Sequence, residues 1–335
     1  MSMGKPIIRV ENLKKYFPLR RGIIGFLKGA PIRYVKAVDG ISFEIRKGEV
    51  FGLVGESGCG KTTTGRLLLR LIDPTDGYIY YKGKDITKLS KRELRPLRKE
   101  LQVIFQDPYG SLDPRFTVAS IVEEPLVIHK IGNSSRERLE LVSKALEEVK
   151  LTPPEEFLWR YPHQLSGGQR QRVAIARALI LKPKFIVADE PVSMLDVSIR
   201  AEILNLMEEL REKYGLTYLF ITHDLAVARY FSHRIAVMYL GKIVEMADSD
   251  TIVENPLHPY TQALIAAVPE PDPSNREKRR EIKIKGEVPS AAAIPPGCRF
   301  HPRCPYMMDI CKEEEPPMVE VEPDHHVACW LYAKR

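Results

Sequence analysis

The apolar residues Val50-Phe51-Gly52-Leu53-Val54 run directly into Gly55-Glu56-Ser57-Gly58-Cys59-Gly60-Lys61-Thr62, and Thr63-Thr64-Gly65-Arg66-Leu67-Leu68-Leu69 follows. The order predicted is strand, glycine-rich turn, helix, with G-x-x-x-x-G-K-T at the turn. Gly55, Gly58 and Gly60 let the backbone curl so that successive N–H groups, those of Ser57, Cys59 and Thr63 among them, point inward at phosphate oxygens. The helix that follows adds its own N-terminal N–H groups and the positive end of its dipole. Lys61 reaches phosphates as a point charge, and the Thr62 hydroxyl is a ligand for Mg²⁺. The stretch is a phosphate-binding loop, a P-loop.

Outward from this loop the pattern alternates strand and helix. From Ile7 to Gly83, on both sides of the loop, the pattern is largely β: residues 7–11, 41–45 and 78–81 read as strands, the last ending at a Lys82-Gly83 turn. Between the first two lies a basic, glycine-containing insertion, residues 18–33, where Arg20, Arg21, Lys28 and Arg33 are interleaved with Ile23, Ile24, Phe26 and Leu27. A surface loop is the plain reading; the composition also suits contact with membrane headgroups or a membrane partner. From Pro108 to Leu151 the period becomes helical, with Leu139, Val142, Leu146 and Val149 on one face.

The alternation then resumes. Residues 185–188 and 216–221 read as buried parallel strands, and Ile199, Ile203, Leu206 and Leu210 mark an amphipathic helix between them. Residues 234–247 read as a hairpin turning at Leu240-Gly241-Lys242. The expected fold is an α/β P-loop core with an antiparallel β subdomain and a helical subdomain. Its boundaries are residues 1–250 for the nucleotide-binding domain, with about 108–165 as the helical insert. Residues 251–335 form a small C-terminal extension, which contains one short helix, a proline cluster at 269–273 and a cysteine-rich tail.

Composition sets outer bounds. The chain has 335 residues and a net charge of +7, a balance that suits nucleotide phosphates, nucleic acid or an anionic membrane surface alike. No apolar run reaches the roughly eighteen residues of a membrane span. The first residues, Met1-Ser2-Met3-Gly4-Lys5-Pro6, lack the apolar core of a signal peptide, so a cytoplasmic location is expected.

Six further features complete a resemblance to ABC-type ATPases. Gln106, in Val103-Ile104-Phe105-Gln106-Asp107-Pro108, resembles the Q-loop glutamine, which the resemblance makes a Mg²⁺ sensor and ligand. Leu165-Ser166-Gly167-Gly168-Gln169 matches the ABC signature, and residues 185–190 match Walker B with the residue after it. Ser193-Met194-Leu195-Asp196 is similar to the D-loop, with Met194 where alanine is common. His223 matches the switch histidine, and Tyr16 resembles the aromatic residue that stacks on adenine.

Chemistry supports these assignments apart from the resemblance. Ser166, Gly167 and Gly168 precede a helix and so present a second positive helix end. Together with Gln169 and Asp196, the resemblance places them over the γ-phosphate of another subunit in a head-to-tail dimer. Asp189 and Glu190 end a buried strand. One carboxylate is suited to hold Mg²⁺, the other to orient and deprotonate water, with Lys61 and His223 as further catalytic groups.

The resemblance extends over nearly the whole chain. Residues 35–40, the glycine loop with its threonine-rich helix start, and His258-Pro259-Tyr260-Thr261-Gln262-Ala263-Leu264 look like an ATP-binding subunit of an oligopeptide/dipeptide importer, with nickel importers sharing much of the pattern. That implies two membrane-spanning permease subunits, a second ATPase subunit, an extracytoplasmic peptide-binding protein, no nucleic acid, and a peripheral place on the cytoplasmic face of the membrane. The alternative class is a non-transport ABC ATPase. A DNA-repair member needs a long coiled coil between the core halves, and no sustained heptads separate Lys61 from Ser166. Translation-type members usually carry two cores, and this chain has one. An iron–sulfur assembly ATPase would leave the importer-like tail unexplained.

The tail carries Cys298, Cys304, Cys311 and Cys329, spaced C-x5-C-x6-C-x17-C. Close C-x2–4-C pairs typical of zinc sites are absent, and a reducing cytoplasm argues against disulfides. A [4Fe–4S] cluster suits four cysteines so spaced, and importer ATPases with a similar tail imply it. Zinc and no metal remain open.

Overall fold

The computed structural model describes residues 5–19, 33–267, 284 and 286–333. Most of the basic insertion, residues 20–32, and most of the charged stretch after residue 267 lie outside them. The strands are β1 (Pro6–Pro18), β2 (Tyr34–Arg46), β3 (Val50–Val54), β4 (Asp76–Tyr81), β5 (Lys84–Asp85), β6 (Leu101–Ile104), β7 (Phe185–Asp189), β8 (Thr217–Thr222), β9 (Arg234–Tyr239), β10 (Lys242–Asp248), β11 (Val319–Glu322) and β12 (His325–Val327). The principal helices are α1 (Lys61–Leu68), α2 (Val118–His129), α3 (Ser135–Glu148), α4 (Gly167–Leu179), α5 (Val197–Tyr214), α6 (Leu225–Phe231) and α7 (Pro259–Ala266).

The chain divides into two compact units. The first is built on residues 88–221, with 45–50 and the start of the chain. Its strands β6, β7 and β8 pair in parallel, Val103 opposite Val187 and Val187 opposite Leu219. All five residues of β7 and all six of β8 are buried, which is why both read as continuous apolar runs. Helices α2, α3 and α4 pack on one another in this unit. The helical periodicity after Pro108 becomes α2 and α3, where Val122, Leu126, Val142 and Leu146 are buried. Ile203, Leu206 and Leu210 turn inward on α5.

The second unit takes residues 8–44, 51–87 and the described residues from 222 onward. It holds the antiparallel sheet, order β2-β1-β4-β5. It also holds β3, which pairs in parallel with β9, and β9 forms a hairpin with β10. Leu240 and Gly241 at its turn both have positive φ, 41° and 83°, as a tight two-residue hairpin turn requires. The short helix expected between residues 256 and 268 is α7, capped by the His258 side chain.

The C-terminal residues join this unit's sheet. β12 pairs antiparallel with β10, and β11 with β12. Tyr239, Tyr260 and Phe300 form an aromatic group with centroids 4.7–5.5 Å apart, in an apolar cluster that Cys298 and Cys304 border. A buried carboxylate holds the edge: Glu245 accepts from the N–H groups of Leu257 and His258 and lies 2.8 Å from His325 Nε2. Burying a charge is costly unless it is paired and hydrogen-bonded, and these three partners engage both carboxylate oxygens. Among the described residues no helix is long and apolar enough to cross a membrane.

Candidate nucleotide site

In the second unit the glycine loop joins β3 to α1. Gly55 and Gly60 have φ of +156° and +113°, and a Cβ on either would lie 2.1 Å from a backbone oxygen, that of Met238 or Ala37. No side chain fits at those two positions, so the loop is as tight as a phosphate cradle demands. Gly60 is the N-cap of α1, with no side-chain cap, which leaves the helix end to a ligand. Ser57 and Gly58 are exposed, and Thr62 and Thr63 half-buried. The Lys61 ammonium donates to the Gly55 and Glu56 carbonyls at 2.6 and 3.0 Å, so the lysine is folded back on its own loop. Burial pushes the Cys59 thiol up, against the charge of Lys61. It is therefore an inert packing residue of the loop.

Glu56 is fixed from three directions. Its backbone N–H donates to the Tyr260 hydroxyl at 2.9 Å, its carbonyl accepts from Lys61, and its carboxylate takes a two-pronged pair from Arg303 at 2.9 and 3.1 Å. Tyr16, on β1, donates its hydroxyl to Asp39, which is also paired with Arg299. Burial tends to raise the Asp39 carboxyl, but the bonds from Tyr16 and Arg299 hold it below the usual carboxylate range. Burial and the bond to Asp39 push the Tyr16 phenol up. The Lys36 ammonium stands 5.5 Å from the Tyr16 ring centre. His223 is exposed in the turn between β8 and α6.

In the first unit Asp189 closes β7, 8% exposed, and Glu190 follows it. The Glu190 backbone has φ of 47°, a left-handed conformation rare for a residue with a side chain. It is held by its N–H bond to Ile221 and by the Ser193 hydroxyl, which donates to its carbonyl. The Gln106 amide nitrogen donates to its carboxylate at 3.0 Å. An amide that donates through nitrogen keeps its carbonyl oxygen as the atom suited to a cation.

Ser166 caps α4 in a reciprocal box: its hydroxyl accepts from the Gln169 N–H, and the Gln169 side chain accepts from the Ser166 N–H. The Ser166 hydroxyl proton remains a donor to an anion, while the Gln169 side chain is occupied at home. A Cβ on Gly168 would meet Ile199 of α5 at 2.8 Å, so this glycine serves packing as well as the helix end. Asp196 is exposed at the N-cap of α5.

The four tail cysteines are unbonded thiols, Cys311 and Cys329 buried and Cys298 and Cys304 half-buried. Burial pushes Cys298 up to about 11 and Cys329 up to about 12, and Cys329 feels the charge of each of the other three. Among the described residues no three His, Cys, Asp or Glu side chains close tightly enough to hold a metal ion. A single zinc needs four sulfurs about 2.3 Å from one point, and the tail is not so drawn together.

Sequence reasoning missed Glu56, Arg299, Arg303, Tyr260 and Glu245. Their partners lie as far as 260 positions away along the chain. The one local signal was the pair of arginines four residues apart between Cys298 and Cys304.

A glycine cradle at a helix start, a carboxylate pair at a strand end and a second capped helix after Ser-Gly-Gly define an ATP-hydrolysing cassette. Residues 38–193 match the ABC transporter family, and residues 244–311 match the oligopeptide/dipeptide transporter C-terminal region. The oligopeptide transport ATP-binding protein AppF of Bacillus subtilis (strain 168) is 53% identical, over 98% of both chains. The dimeric ATP-binding cassette MJ0796, solved in a post-hydrolysis state with ADP and Pi, is 32% identical with a TM-score of 0.62, covering 72% of this chain and 98% of that one. The ADP conformation of MJ1267, a cassette of an ABC transporter, is 29% identical with a TM-score of 0.60, covering 75% and 96%. The chain belongs to the ABC transporter family, among its oligopeptide transport ATP-binding proteins.

Proposed function

We propose that this protein hydrolyses ATP to drive import of dipeptides or oligopeptides through membrane partner subunits. The observation that carries the reading is the full-length similarity to an oligopeptide transport ATP-binding protein, which extends through the C-terminal region. That region favours peptide over nickel as cargo. The working assembly contains two permease subunits, a second ATPase subunit and, indirectly, an extracytoplasmic peptide-binding protein. The chain sits peripherally on the cytoplasmic face of the membrane.

The roles follow from the chemistry of each group. The backbone of residues 55–63 binds the phosphates, and Lys61 leaves its loop carbonyls for them, because a phosphate is the stronger charge-assisted acceptor. Tyr16 offers its ring to the base. Glu190 orients and deprotonates the attacking water; Gln106 holds the carboxylate and His223 assists it. Thr62, Gln106 and Asp189 supply hard oxygen ligands of the kind Mg²⁺ takes. The ion's contribution, when bound, is to neutralise charge on the phosphates. Ser166, Gly167, Gly168, Gln169 and Asp196 serve the nucleotide of the opposing subunit, which accounts for a helix end capped but still able to donate.

The same reading includes an iron–sulfur cluster on Cys298, Cys304, Cys311 and Cys329. It is supported by a donor set of four thiols, every pair near enough to interact electrostatically. Anaerobically purified protein should be brown, and a colourless protein would end this part of the proposal.

Co-expression with candidate permease genes tests the whole. The chain should co-purify with two membrane subunits, and the reconstituted assembly should import labelled peptide in an ATP-dependent way. Uptake of nickel but not peptide, or no membrane partner, would overturn it.

A further inference from the structure

The cysteine-bearing tail reaches into the phosphate loop itself. Arg303 Nη1 and Nη2 donate to Glu56 Oε2 and Oε1 at 2.9 and 3.1 Å, a planar two-bond pair across 247 positions of sequence. The arginine side chain is 9% exposed and the glutamate 28%. Its guanidinium also lies 5.8 Å from the Tyr239 ring centre and 5.9 Å from that of Phe300, so its direction is set by packing. Glu56 is the residue directly after Gly55, in the segment whose backbone is to receive phosphate. An unpaired carboxylate there would repel the ligand and be free to swing the loop.

We infer that Arg303 is a positioning residue for nucleotide binding: through Glu56 it fixes the phosphate loop and cancels the one acidic charge within it. The inference rests on the phosphate-loop reading above. It gives the C-terminal segment a direct part in ATP affinity. The contact of Arg299 with Asp39, which holds Tyr16, runs from the same stretch of chain.

The test is calorimetric binding of the non-hydrolysable analogue AMP-PNP with Mg²⁺ to the full chain, together with KM and kcat for ATP. Arg303→Ala should weaken AMP-PNP binding and raise KM by about tenfold, the worth of a charge-assisted pair, with kcat changed less than about twofold. Arg303→Lys should fall between, because an ammonium cannot reproduce the two-bond geometry. The decisive variant is Glu56→Gln on the Arg303→Ala background. Removing the stranded charge should restore most of the lost affinity, whereas a purely structural role predicts that a second lesion deepens the loss. Affinity of Arg303→Ala within twofold of the parent, or no recovery in the double variant, overturns the inference. If Arg303→Ala fails to fold, Arg303→Lys and the double variant still decide. Lys61→Ala separates the two levels: if it retains full affinity, the phosphate-loop reading fails, whatever Arg303 does.

Discussion

The Gln106 side-chain nitrogen donates to the Glu190 carboxylate at 3.0 Å, and Glu190 stands on a left-handed backbone with φ of 47°. A carboxylate held by an amide, on a backbone that costs of order 1–3 kcal/mol to maintain, is fixed in direction before any substrate arrives. The residue that would take a proton from water is thus oriented by a neighbour 84 positions away.

Replacing Glu190 by Gln keeps the shape and the bond to Gln106 but removes the proposed base. ATP binding should be unchanged within about twofold, and hydrolysis should fall by at least about a hundredfold, the usual contribution of a general base. Binding calorimetry and phosphate release measure the two. Turnover near that of the parent would remove Glu190 from the catalytic role.

Gln106→Ala takes away the donor to Glu190 and leaves the proposed base. We expect kcat to drop by roughly tenfold, in line with the loss of one hydrogen bond to a charged group. Gln106→Glu should do worse at neutral pH, because a second carboxylate then repels the first. Equal kcat in all three proteins would show that the contact has no catalytic weight.

Ser166→Arg places a long cation on the capped end of α4, which belongs to the first unit, whereas the phosphate loop belongs to the second. Nucleotide affinity of the monomer should be preserved, while ATP-dependent dimerisation and turnover are lost. Light scattering with ATP, in the hydrolysis-deficient Glu190→Gln background, gives the readout. Loss of monomer affinity would mean that Ser166 does not act in trans.

His258 makes acid sensitivity predictable. Burial pushes its imidazole down to about 4 from an ordinary 6.5, opposed by the charge of Glu245, and its Nδ1 accepts from the Tyr260 N–H, which only the unprotonated nitrogen can do. Between those values the unfolded chain binds a proton that the folded chain refuses. The contribution is therefore complete above pH 6.5 and is lost as the pH falls towards 4, about 3 kcal/mol in all. His258→Asn, which keeps a side chain able to cap α7, should flatten the stability difference between pH 7 and pH 4.5 in denaturant titrations. An unchanged slope would place the acid sensitivity elsewhere.

What could be read beforehand and what could not divides along physical lines. The glycine loop, the apolar run ending in Asp189 and Glu190, and the turn at Leu240-Gly241 were legible because each is set by neighbours in the chain: periodicity, φ and caps. β12 was not, since a three-residue strand exists only by virtue of the β10 edge it pairs with. Nor was the worth of Glu245, a charged residue in a hairpin, which sequence alone would leave in water. Tyr16 was legible as an aromatic residue near the start of the fold, but nothing local announces that Asp39 and Arg299 fix its hydroxyl. Long-range pairs of this kind are chosen by packing, and no window of sequence contains both partners.

The addition of β12 and β11 beside β10 has a consequence for handling the protein. β10 pairs with β9 on one side, and on the other its hydrogen-bonding groups at Glu245 and Met246 are covered by Val327 and His326. The outermost strand, β11, is Val319-Glu320-Val321-Glu322, with both glutamates exposed, so the final edge is short and negatively charged. Short charged edges discourage strand-to-strand association between molecules. A chain shortened before Val319 would instead present β10 bare, with Glu245 stripped of His325. Such a truncation would be a self-associating protein, and the last strands act as a guard for solubility as much as a tail.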